Sequence, residues 1–325
     1  MPFLSKKNFS SLKDIKTISC FIFVARSDFS YLATTLPPLL EMATKANCTT
    51  TILVDGTNPD GVLGQSLPQT ALSKLISCLE KIQQEHSFEI EVIVPKPDEI
   101  REFSRLHLGK PHMETHCFRG YPIHSSISQF LKAETDYVLH FDCDMLFHEQ
   151  ENFSWIQSGI ELMETNQDIL CVLPRGGPPN DDNSINQGTT EYELDEKRAL
   201  YLFKNFTSRH YLAHRNRFLD LLPFKPLWLS WREPIKSKLF GKGKMLCWEN
   251  MVEEALTRSK YWRADFMSKK AWSLHPGDRC EGFHNMIEEI SKHVQKGNYP
   301  EAQRGHFDLR LNDWQSFIKA NQESA

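Results

Sequence analysis

The chain has 325 residues, of which 40% are hydrophobic and 25% are charged, and its formal net charge is −4. A chain of this length forms one large domain or two modest ones, and it buries a full core without disulfides or structural metals. The slightly acidic balance gives no reason to expect nucleic acid as a partner. The 21 Phe and 7 Trp argue against disorder.

The cysteines and the N-terminal residues bear on the cellular compartment. The eight cysteines are dispersed and form no CxxC pair, so neither a disulfide framework nor a zinc ribbon is expected. The N-terminal residues lack the apolar stretch of a signal peptide, and Ile18 to Ala25 is too short an apolar stretch to span a bilayer. These features predict a cytoplasmic protein, in the cytosol or at the cytoplasmic face of a membrane, because surface attachment needs no spanning helix.

The first half of the chain alternates between strand and helix patterns. Apolar, β-branched stretches typical of buried strands occur at Lys16–Ala25, Thr50–Val54, Glu89–Val94 and Asp136–Phe141. Helical spacing follows each of the first strands, over residues 32–40, Leu72–Glu85 and His124–Ala133, with Pro37-Pro38 expected to bend or restart the first helix. This order predicts an α/β fold with an open, mainly parallel sheet flanked by helices. In such sheets, ligands bind beyond the carboxyl ends of the strands.

After residue 175 the regular pattern fades. Arg175–Gly188 is a polar stretch that predicts a long loop, and Lys236–Lys244 predicts a second loop with four lysines. The second loop could close over a bound diphosphate, meet an anionic acceptor or a membrane surface, or simply be solvated. Helices are expected from near Glu249 and over Phe283–Val294. We divide the single large domain into a tail, a first half and a second half, at residues 1–14, 15–174 and 175–325.

The most informative stretch is Asp136–Phe147, DYVLHFDCDMLF, in which an apolar strand ends in two carboxylates. Side chains alternate along an extended backbone, so Asp142 and Asp144 are expected to point the same way and Cys143 the opposite way. Carboxylate oxygens suit Mg²⁺ or Mn²⁺, with phosphate oxygens completing the shell. About one such pair is expected by chance in a chain of this composition. Its position at a strand end favours a metal or nucleotide site over a solvated strand end.

A strand, a helix, a strand ending in Asp55 and then the FDCDML motif resemble the GT-A glycosyltransferases, particularly their inverting, family-2-like branch. The resemblance covers roughly Lys16 to His275 and rests on the order of the motifs. It implies one Rossmann-like domain of the nucleotide-diphospho-sugar transferase superfamily, with the nucleotide sugar bound by residues 15–174 and the acceptor by residues 175–325. It also implies that Asp144 is the principal metal ligand and that Asp142 lies near the ribose and the metal.

The same resemblance implies which residues contact the nucleotide. They follow the first strand and end the second, and here they are Arg26, Asp28 and Asp55. Their carboxylates can accept hydrogen bonds from a base or a ribose. In a purely structural interpretation, Asp28 caps a helix and Asp55 a turn. The turn Gly56-Thr57-Asn58 departs from the more acidic turn usual in the family, so the base contact stays open.

Trp248-Glu249-Asn250 resembles the acidic motif of the family, with Asn250 in place of a second acid. An inverting transfer needs a base that deprotonates the acceptor hydroxyl as it attacks the anomeric carbon, and Glu249 is the candidate. The alternative is an acid in the first turn that complements the helix dipole. A late histidine joins the metal in many GT-A enzymes, and His275 is the best placed here. A mixed carboxylate and imidazole shell favours Mn²⁺ over Mg²⁺, although a lone histidine is often structural.

Basic and aromatic residues supply further candidates. Arg209, in a stretch that also contains Arg215 and Arg217, is the candidate for the diphosphate because its planar fork donates paired hydrogen bonds. A basic surface stripe is the alternative. His112 and His116 could bracket a metal, but the flanking Gly-Lys-Pro favours a loop. Three tryptophans form a candidate sugar-stacking platform, although such residues are more often core: Trp228, Trp231 and Trp248.

The sequence therefore predicts a metal-dependent glycosyltransferase. It would move a sugar from a nucleotide-diphosphate donor, a UDP-sugar, to a hydroxyl of a glycan or lipid acceptor with inversion, using Mn²⁺ or Mg²⁺. Two alternatives stay open. A sugar-phosphate nucleotidyltransferase would need a Gly-rich basic loop after the first strand, where this chain has ARSDFS. A non-catalytic glycan-binding module would not need intact Asp142, Asp144 and His275. Peripheral membrane contact is compatible with each of these functions.

Overall fold

The structure is a computed structural model that describes residues 18–57, 70–186, 191–277 and 279–323. Within these residues, nine strands form one sheet in the order β3-β2-β1-β4-β10-β6-β11-β9-β8, and three strands form a small sheet in the order β5-β12-β7. The strands are β1 (Ile18–Val24), β2 (Cys48–Asp55), β3 (Glu89–Ile93), β4 (Tyr137–Asp142), β5 (Leu146–Glu149), β6 (Ile169–Leu173), β7 (Arg175–Gly176), β8 (Glu193–Asp195), β9 (Leu200–Phe203), β10 (His210–His214), β11 (Trp262–Phe266) and β12 (Ala271–Leu274).

Helices connect the strands and cover the large sheet. They are α1 (Leu32–Lys45), α2 (Ala71–Ile82), α3 (Pro97–His107), α4 (His124–Lys132), α5 (Trp155–Thr165), α6 (Arg215–Leu219), α7 (Glu233–Phe240), α8 (Trp248–Arg258), α9 (Glu281–Gln295) and α10 (Leu311–Glu323). Among the described residues, no helix is long and apolar enough to cross a membrane.

The large sheet is mixed but mainly parallel. Strand β1 pairs in parallel with β2 and β4, and β2 with β3. Strand β10 lies antiparallel between β4 and β6, and β11 then runs parallel to β6. The α/β class with an open, mainly parallel sheet is thus confirmed. The antiparallel direction of β10 could not be predicted from the sequence pattern. The pattern indicates where strands occur, but not which strands become neighbours in the sheet or in which direction they run.

The four strands predicted in the first half are confirmed, apart from residues 16 and 17, which lie outside the described residues. Buried apolar residues dominate β1 and β4, because helices cover both faces of the sheet there. Strand β2 contains three threonines, and β3, at the end of the strand order, is partly exposed. In β1, Cys20 and Ile22 pack against Leu36 of α1 on one face. Phe21 packs on the other face, in a second cluster with Ile127 of α4. The sheet is therefore the middle of three layers, between helices on either side. This packing fixes the positions of the strand ends.

Local structure departs from the sequence pattern in two places. Helix α1 runs through Pro37 and Pro38 without the restart that was one of the two outcomes expected there. Each interior proline costs about 3 kcal/mol, and the burial of residues such as Leu36 and Leu40 of the same helix offsets this cost. The predicted loop Lys236–Lys244 is helical as far as Phe240, and Gly241 ends the helix in the left-handed conformation at φ +64°. Helix α3 was not predicted.

Candidate functional site

The carboxyl ends of β1, β2 and β4 meet at one edge of the sheet and form a cavity of about 100 Å³. The edge lies where the strand order reverses, since the chain proceeds from β1 outward through β2 and β3 and then returns to the other side of β1 with β4. Such a reversal opens a crevice between the connections of the two adjacent strands. Polar side chains lining the cavity are Arg26, Ser27, Asp28, Asp55, Thr57, Tyr121, Ser125, Asp142, Asp144, Arg209 and Arg279.

Asp142 is the last residue of β4 and lies between an imidazole and a guanidinium. Its Oδ1 is 3.4 Å from Nε2 of His140, and its Oδ2 accepts a hydrogen bond from Nη1 of Arg209 at 3.3 Å. Burial raises the pKa of Asp142, but the hydrogen bond from His140 and the charges of Arg209 and His275 outweigh burial and lower this pKa below its ordinary value. The side chain is therefore a carboxylate at neutral pH.

Asp144 lies in a turn and not on an extension of β4, so the expected alternation of side chains over residues 142–144 was wrong. The turn is closed by a hydrogen bond from the Met145 N–H to the Asp142 carbonyl at 3.2 Å. Both carboxylates nevertheless line the same cavity. Asp144 is only 1% exposed. Its Oδ2 accepts two hydrogen bonds from Arg279, one of them from Nε at 2.7 Å, and its Oδ1 is buried without a partner.

Arg279 is not among the residues predicted from the sequence. Burial lowers the pKa of its guanidinium, but the charges of Asp144, Tyr31 and Asp28 outweigh burial and raise this pKa above the ordinary value. Arg279 lies two residues before α9, whose apolar residue Phe283 is packed in the core. A single arginine outside any motif carries no sequence signal, because only the packing of α9 brings it to Asp144.

Asp28 lines the cavity, but both of its carboxylate oxygens already accept hydrogen bonds from other residues of the protein. The carboxylate accepts hydrogen bonds from the Ala25 N–H at 2.7 Å, the Tyr31 hydroxyl at 2.5 Å, the Ser27 hydroxyl at 3.0 Å and the Cys143 thiol at 3.2 Å. Burial raises the pKa of Asp28 above the ordinary value, although the hydrogen bonds from Tyr31 and Ala25 oppose the rise. The geometry therefore favours the structural interpretation of Asp28, which ties the turn after β1 to the turn after β4.

Asp55 ends β2 at the far side of the cavity and is held from two sides. Oδ1 accepts hydrogen bonds from the N–H and hydroxyl of Thr57 at 2.9 and 2.6 Å, and Oδ2 is 2.8 Å from Nε2 of His116. Burial raises the pKa of Asp55, but the hydrogen bonds and the charge of His116 outweigh burial and lower it. Arg26 donates a hydrogen bond to the Gly56 carbonyl in the same turn. This polar group forms one wall of the cavity.

His112 and His116 lie in a loop, as predicted, and have different partners. His116 contacts Asp55, whereas Nδ1 of His112 is 3.4 Å from the Ser237 hydroxyl. Of the three candidate tryptophans, Trp248 is buried against Phe206, with the ring centroids 5.1 Å apart. The interpretation as core is confirmed for Trp248. None of the three lines the cavity.

Of the three arginines in the basic stretch, only Arg209 lines the cavity. Its guanidinium lies between Asp142 and the ring of Tyr121, at 5.7 Å from the ring centroid. Burial lowers its pKa, but the charges of Asp142, Asp144 and Glu249 outweigh burial and raise this pKa above the ordinary value. Arg215 and Arg217 instead donate hydrogen bonds to backbone carbonyls of α4 and of the end of α5.

Glu249 lies in the first turn of α8, close to the cavity but outside its lining. Its Oε1 accepts hydrogen bonds from the N–H and the hydroxyl of Ser208 at 2.7 and 2.6 Å. The next residue, Arg209, accepts a hydrogen bond on its carbonyl from the Asp142 N–H at 2.7 Å. Glu249 is thus connected to Asp142 through two consecutive residues immediately before β10.

His275 follows β12, and Asp308 fixes its orientation. Nδ1 of His275 is 3.1 Å from Oδ1 of Asp308, and this hydrogen bond lowers the pKa of Asp308 although burial opposes it. Nε2 of His275 is buried and has no hydrogen-bond partner. Asp308 also lines a second cavity, of about 380 Å³, between the carboxyl ends of β6 and β11, whose other polar residues are Asn186, Asn205, Thr207, His210, Arg263, Asp265 and His306.

Two unpartnered buried atoms, Oδ1 of Asp144 and Nε2 of His275, are of the kinds that coordinate Mn²⁺ or Mg²⁺. Within the described ranges, no three His, Cys, Asp or Glu side chains are grouped closely enough to hold a metal by themselves. Mg²⁺ in proteins that act on phosphates is commonly held by one or two carboxylates together with the phosphate oxygens of the substrate. Asp142 and Asp144 are thus residues of the kind that holds a cation together with a phosphate ligand, whereas His275 does not line this cavity.

Comparison with known proteins gives no match to any family model or curated protein. Solved structures that resemble the chain include UDP-glucose pyrophosphorylase complexed with UDP-glucose, at 11% identity and TM-score 0.45, over 85% of this chain and 97% of that one. S. aureus TarS residues 1–349 match at 10% identity and TM-score 0.39, over 79% and 60% of the chains. A mannosyltransferase, PcManGT from Pyrobaculum calidifontis, in complex with GDP-Man and Mn²⁺, matches at 8% identity and TM-score 0.34, over 64% and 47%. At these identities the similarity concerns the course of the backbone and not the residues that line the cavity.

Proposed function

We propose that the chain is a glycosyltransferase that binds a nucleotide-diphosphate sugar, a UDP-sugar, at the carboxyl edge of its sheet. The observation that carries this proposal is the pair Asp142 and Asp144 at the end of β4, each held by a largely buried arginine in a crevice where the strand order reverses. Such crevices bind nucleotides in open α/β sheets. Two guanidiniums and two carboxylates in one cavity suit a ligand with several anionic oxygens and a bound cation.

Arg209 and Arg279 are the residues we assign to the diphosphate. Each is already oriented by a carboxylate, so little side-chain entropy is lost when a phosphate arrives. A guanidinium donates two parallel hydrogen bonds to phosphate oxygens and stays charged in a buried site. Asp142 and Asp144, together with phosphate oxygens of the donor, would hold a Mn²⁺ or Mg²⁺ ion, which would supply positive charge against the leaving diphosphate. His275 stays a candidate for a further ligand, although it does not line the cavity.

The nucleoside end is assigned to the wall formed by Asp55, Thr57 and Tyr121. Asp55 offers carboxylate oxygens, Thr57 a hydroxyl and Tyr121 an aromatic face, and all three line the cavity. A carboxylate accepts hydrogen bonds from the N–H of a base or the hydroxyls of a ribose. His116 positions Asp55 from outside the cavity.

The acceptor is assigned to the second cavity, which amide, imidazole and carboxylate side chains line. Such groups match the hydroxyls of a glycan or of a lipid-linked sugar. Glu249 takes the proton from the attacking hydroxyl. Both bonds from Ser208 go to Oε1, so we assign the proton to Oε2. Attack on the face of the anomeric carbon opposite the diphosphate inverts its configuration.

A thermal-shift panel tests the proposal, because a ligand that binds the native state raises its stability. UDP-, GDP-, CMP- and dTDP-sugars are compared with and without Mn²⁺. We expect the UDP-sugar to raise the Tm of the wild type and of the control Asp195→Asn, whose carboxylate pairs with Arg198 elsewhere. Asp144→Ala should lose this shift. If no nucleotide sugar raises the Tm of the wild type, the proposal is wrong.

Turnover separates the remaining functions. A glycosyltransferase releases the nucleoside diphosphate when an acceptor is present, whereas a nucleotidyltransferase consumes a nucleoside triphosphate and releases pyrophosphate. A glycan-binding module does neither. We expect slow release of UDP even without an acceptor, because water can take its place, and we expect no pyrophosphate from UTP and a sugar 1-phosphate.

A further inference from the structure

Exposed apolar side chains of the described residues are concentrated on one short segment. Trp231 is 73% exposed, Phe240 72% and Leu239 66%, and about half of Leu229 and Ile235 is exposed. All five lie within twelve consecutive residues, while the other exposed large apolar side chains occur singly or in pairs. A contiguous apolar patch on a folded protein marks a surface that contacts a partner or a membrane.

Helix α7 within this segment buries polar residues and exposes apolar ones. Ile235 and Leu239 are spaced four residues apart and therefore follow one side of the helix. Trp231 lies in the turn just before the helix. Glu233 and Ser237, also four apart, are buried beneath it. A helix that packs on a globular core shows the opposite arrangement, with its apolar stripe inward.

Hydrogen bonds hold the helix in this orientation. The Ser237 hydroxyl and the Gly243 N–H donate to the two oxygens of Glu114 at 2.8 and 2.6 Å. The Lys244 N–H donates to Oε2 of Glu233 at 3.0 Å. If the helix rolled to bury its apolar side, these buried polar groups would lose their partners. The apolar side is therefore presented outward by the fold itself.

The segment Leu229–Lys244 is basic although the chain as a whole is acidic. It contains five basic residues and one acid, Glu233, for a formal charge of +4, against −4 for the whole chain. The single acid is buried, and its Oε1 pairs with Lys236 at 2.7 Å. Lys238, Lys242 and Lys244 are exposed beside the apolar side chains. The positive charge excludes a second copy of this segment as the preferred partner, since like charges would face each other.

We propose that Leu229–Lys244 docks the protein on the surface of an anionic lipid bilayer. Helix α7 would lie in the plane of the interface, with Trp231, Leu239 and Phe240 inserted among the acyl chains and the lysines among the headgroups. Apolar burial and attraction to anionic lipids add together in such elements. Lysine side chains extend from an apolar surface to the headgroup level, and tryptophan favours the interface.

The docking does not rest on the proposed glycosyltransferase activity, but it bears on the acceptor. Trp228 and Met245 form a bridge at the base of the segment, and Lys244 is five residues before Glu249. The surface thus leads directly into the first turn of α8. If the transferase activity also holds, a lipid-linked acceptor is the class that this arrangement favours.

Flotation with vesicles tests the docking with the purified full-length protein. The vesicles are phosphatidylcholine alone, or phosphatidylcholine with about one phosphatidylglycerol in three lipids. We expect the protein to float with the anionic vesicles at low salt, and high salt to weaken binding by screening. Each lysine near such a surface strengthens binding roughly fivefold, so K238Q/K242Q should weaken binding about 30-fold. W231S/F240S should weaken it by at least about tenfold.

Controls come from other exposed positions. L194S removes an exposed apolar side chain on β8, and K197Q/K319Q removes two exposed charges, and neither should change vesicle binding. The proposal is overturned if the wild type does not float with anionic vesicles, or if the segment variants bind as the wild type does. Light scattering without lipid tests a second occupant. A wild-type dimer that W231S/F240S converts to a monomer would overturn the proposal in favour of self-association.

Discussion

Removal of the guanidinium at Arg279 tests how the acidic pair is held. In Arg279→Met, Asp144 keeps its carboxylate at 1% exposure but loses both hydrogen bonds to Oδ2. Because Oδ1 has no partner either, a buried charge is then left without any side-chain donor. The carboxylate would become the most poorly compensated group of the cavity, and the folded state should lose stability.

The size of this loss follows from the burial of the two side chains. Removing one partner of a buried ion pair costs about 3–5 kcal/mol. The Arg279 side chain is 32% exposed, so water can reach Asp144 in the variant and offset part of this penalty. We therefore expect the free energy of unfolding to fall by about 2–3 kcal/mol. Since stability changes of this size shift the Tm by about 2 °C per kcal/mol in large domains, the expected shift is about 5 °C. Asp144→Asn should cost less, about 1 kcal/mol, because the amide oxygen still accepts from Arg279.

Urea unfolding of the two single variants and the double variant measures the coupling. We expect Arg279→Met with Asp144→Asn to cost at least about 1 kcal/mol less than the sum of the singles, since the unpaired charge is gone. Lys292→Met is the control, because Lys292 pairs with Glu288 and Glu289 on the surface and should change stability by less than about 1 kcal/mol. Additive losses in the double variant would refute the assignment of Arg279 as the partner of Asp144.

Three further outcomes are expected. Glu249→Gln should lower kcat at least about 100-fold, while UDP-sugar binding measured by calorimetry stays unchanged. Glu253→Gln, at an exposed position of the same helix, should not lower kcat. Equal losses of kcat in the two variants would exclude Glu249 as the base. Asp55→Asn should cost about 1–2 kcal/mol at pH 7. The pKa of Asp55 is lowered in the folded state, so the Asp55 carboxylate stabilises the fold above the ordinary pKa, and this stabilisation is lost as pH falls through the folded-state pKa. In acid unfolding titrations, the difference in free energy of unfolding between wild type and variant should therefore be smaller at pH 3 than at pH 7. An equal difference at both pH values would contradict this linkage. Arg217→Met removes hydrogen bonds to three carbonyls around the end of α5 and should lower the Tm without changing UDP binding by calorimetry; weaker UDP binding would contradict its placement away from the cavity.

The sequence predicted the strands of the first half well because each contains a short stretch rich in β-branched or aromatic residues, and in β1 and β4 this stretch is almost wholly buried. It also predicted where Asp55 and Asp142 lie, since the carboxyl ends of parallel strands meet at one edge of a sheet. The direction of β10 and the helix α7 could not be predicted in the same way. Helix α7 exposes its apolar residues, so its pattern differs from that of a helix on a core.

The candidate site was only partly visible in the sequence. Asp144 was expected on an extended strand, where side chains point alternately to opposite faces. The chain turns after Asp142, so this alternation does not apply to Asp144. Arg279 and His116 complete the site through contacts between segments more than 60 residues apart in the chain. Contacts of this kind depend on tertiary packing, which a local pattern does not encode.

Calorimetric titration with UDP and with uridine tests the central claim most directly, because the two ligands differ only in the diphosphate. The account predicts that UDP binds at least about tenfold more tightly than uridine and that Arg209→Met with Arg279→Met removes this difference. Arg215→Met, outside the cavity, should preserve it. Equal affinity of the wild type for the two ligands, or binding of neither, would contradict a diphosphate site at the end of β4.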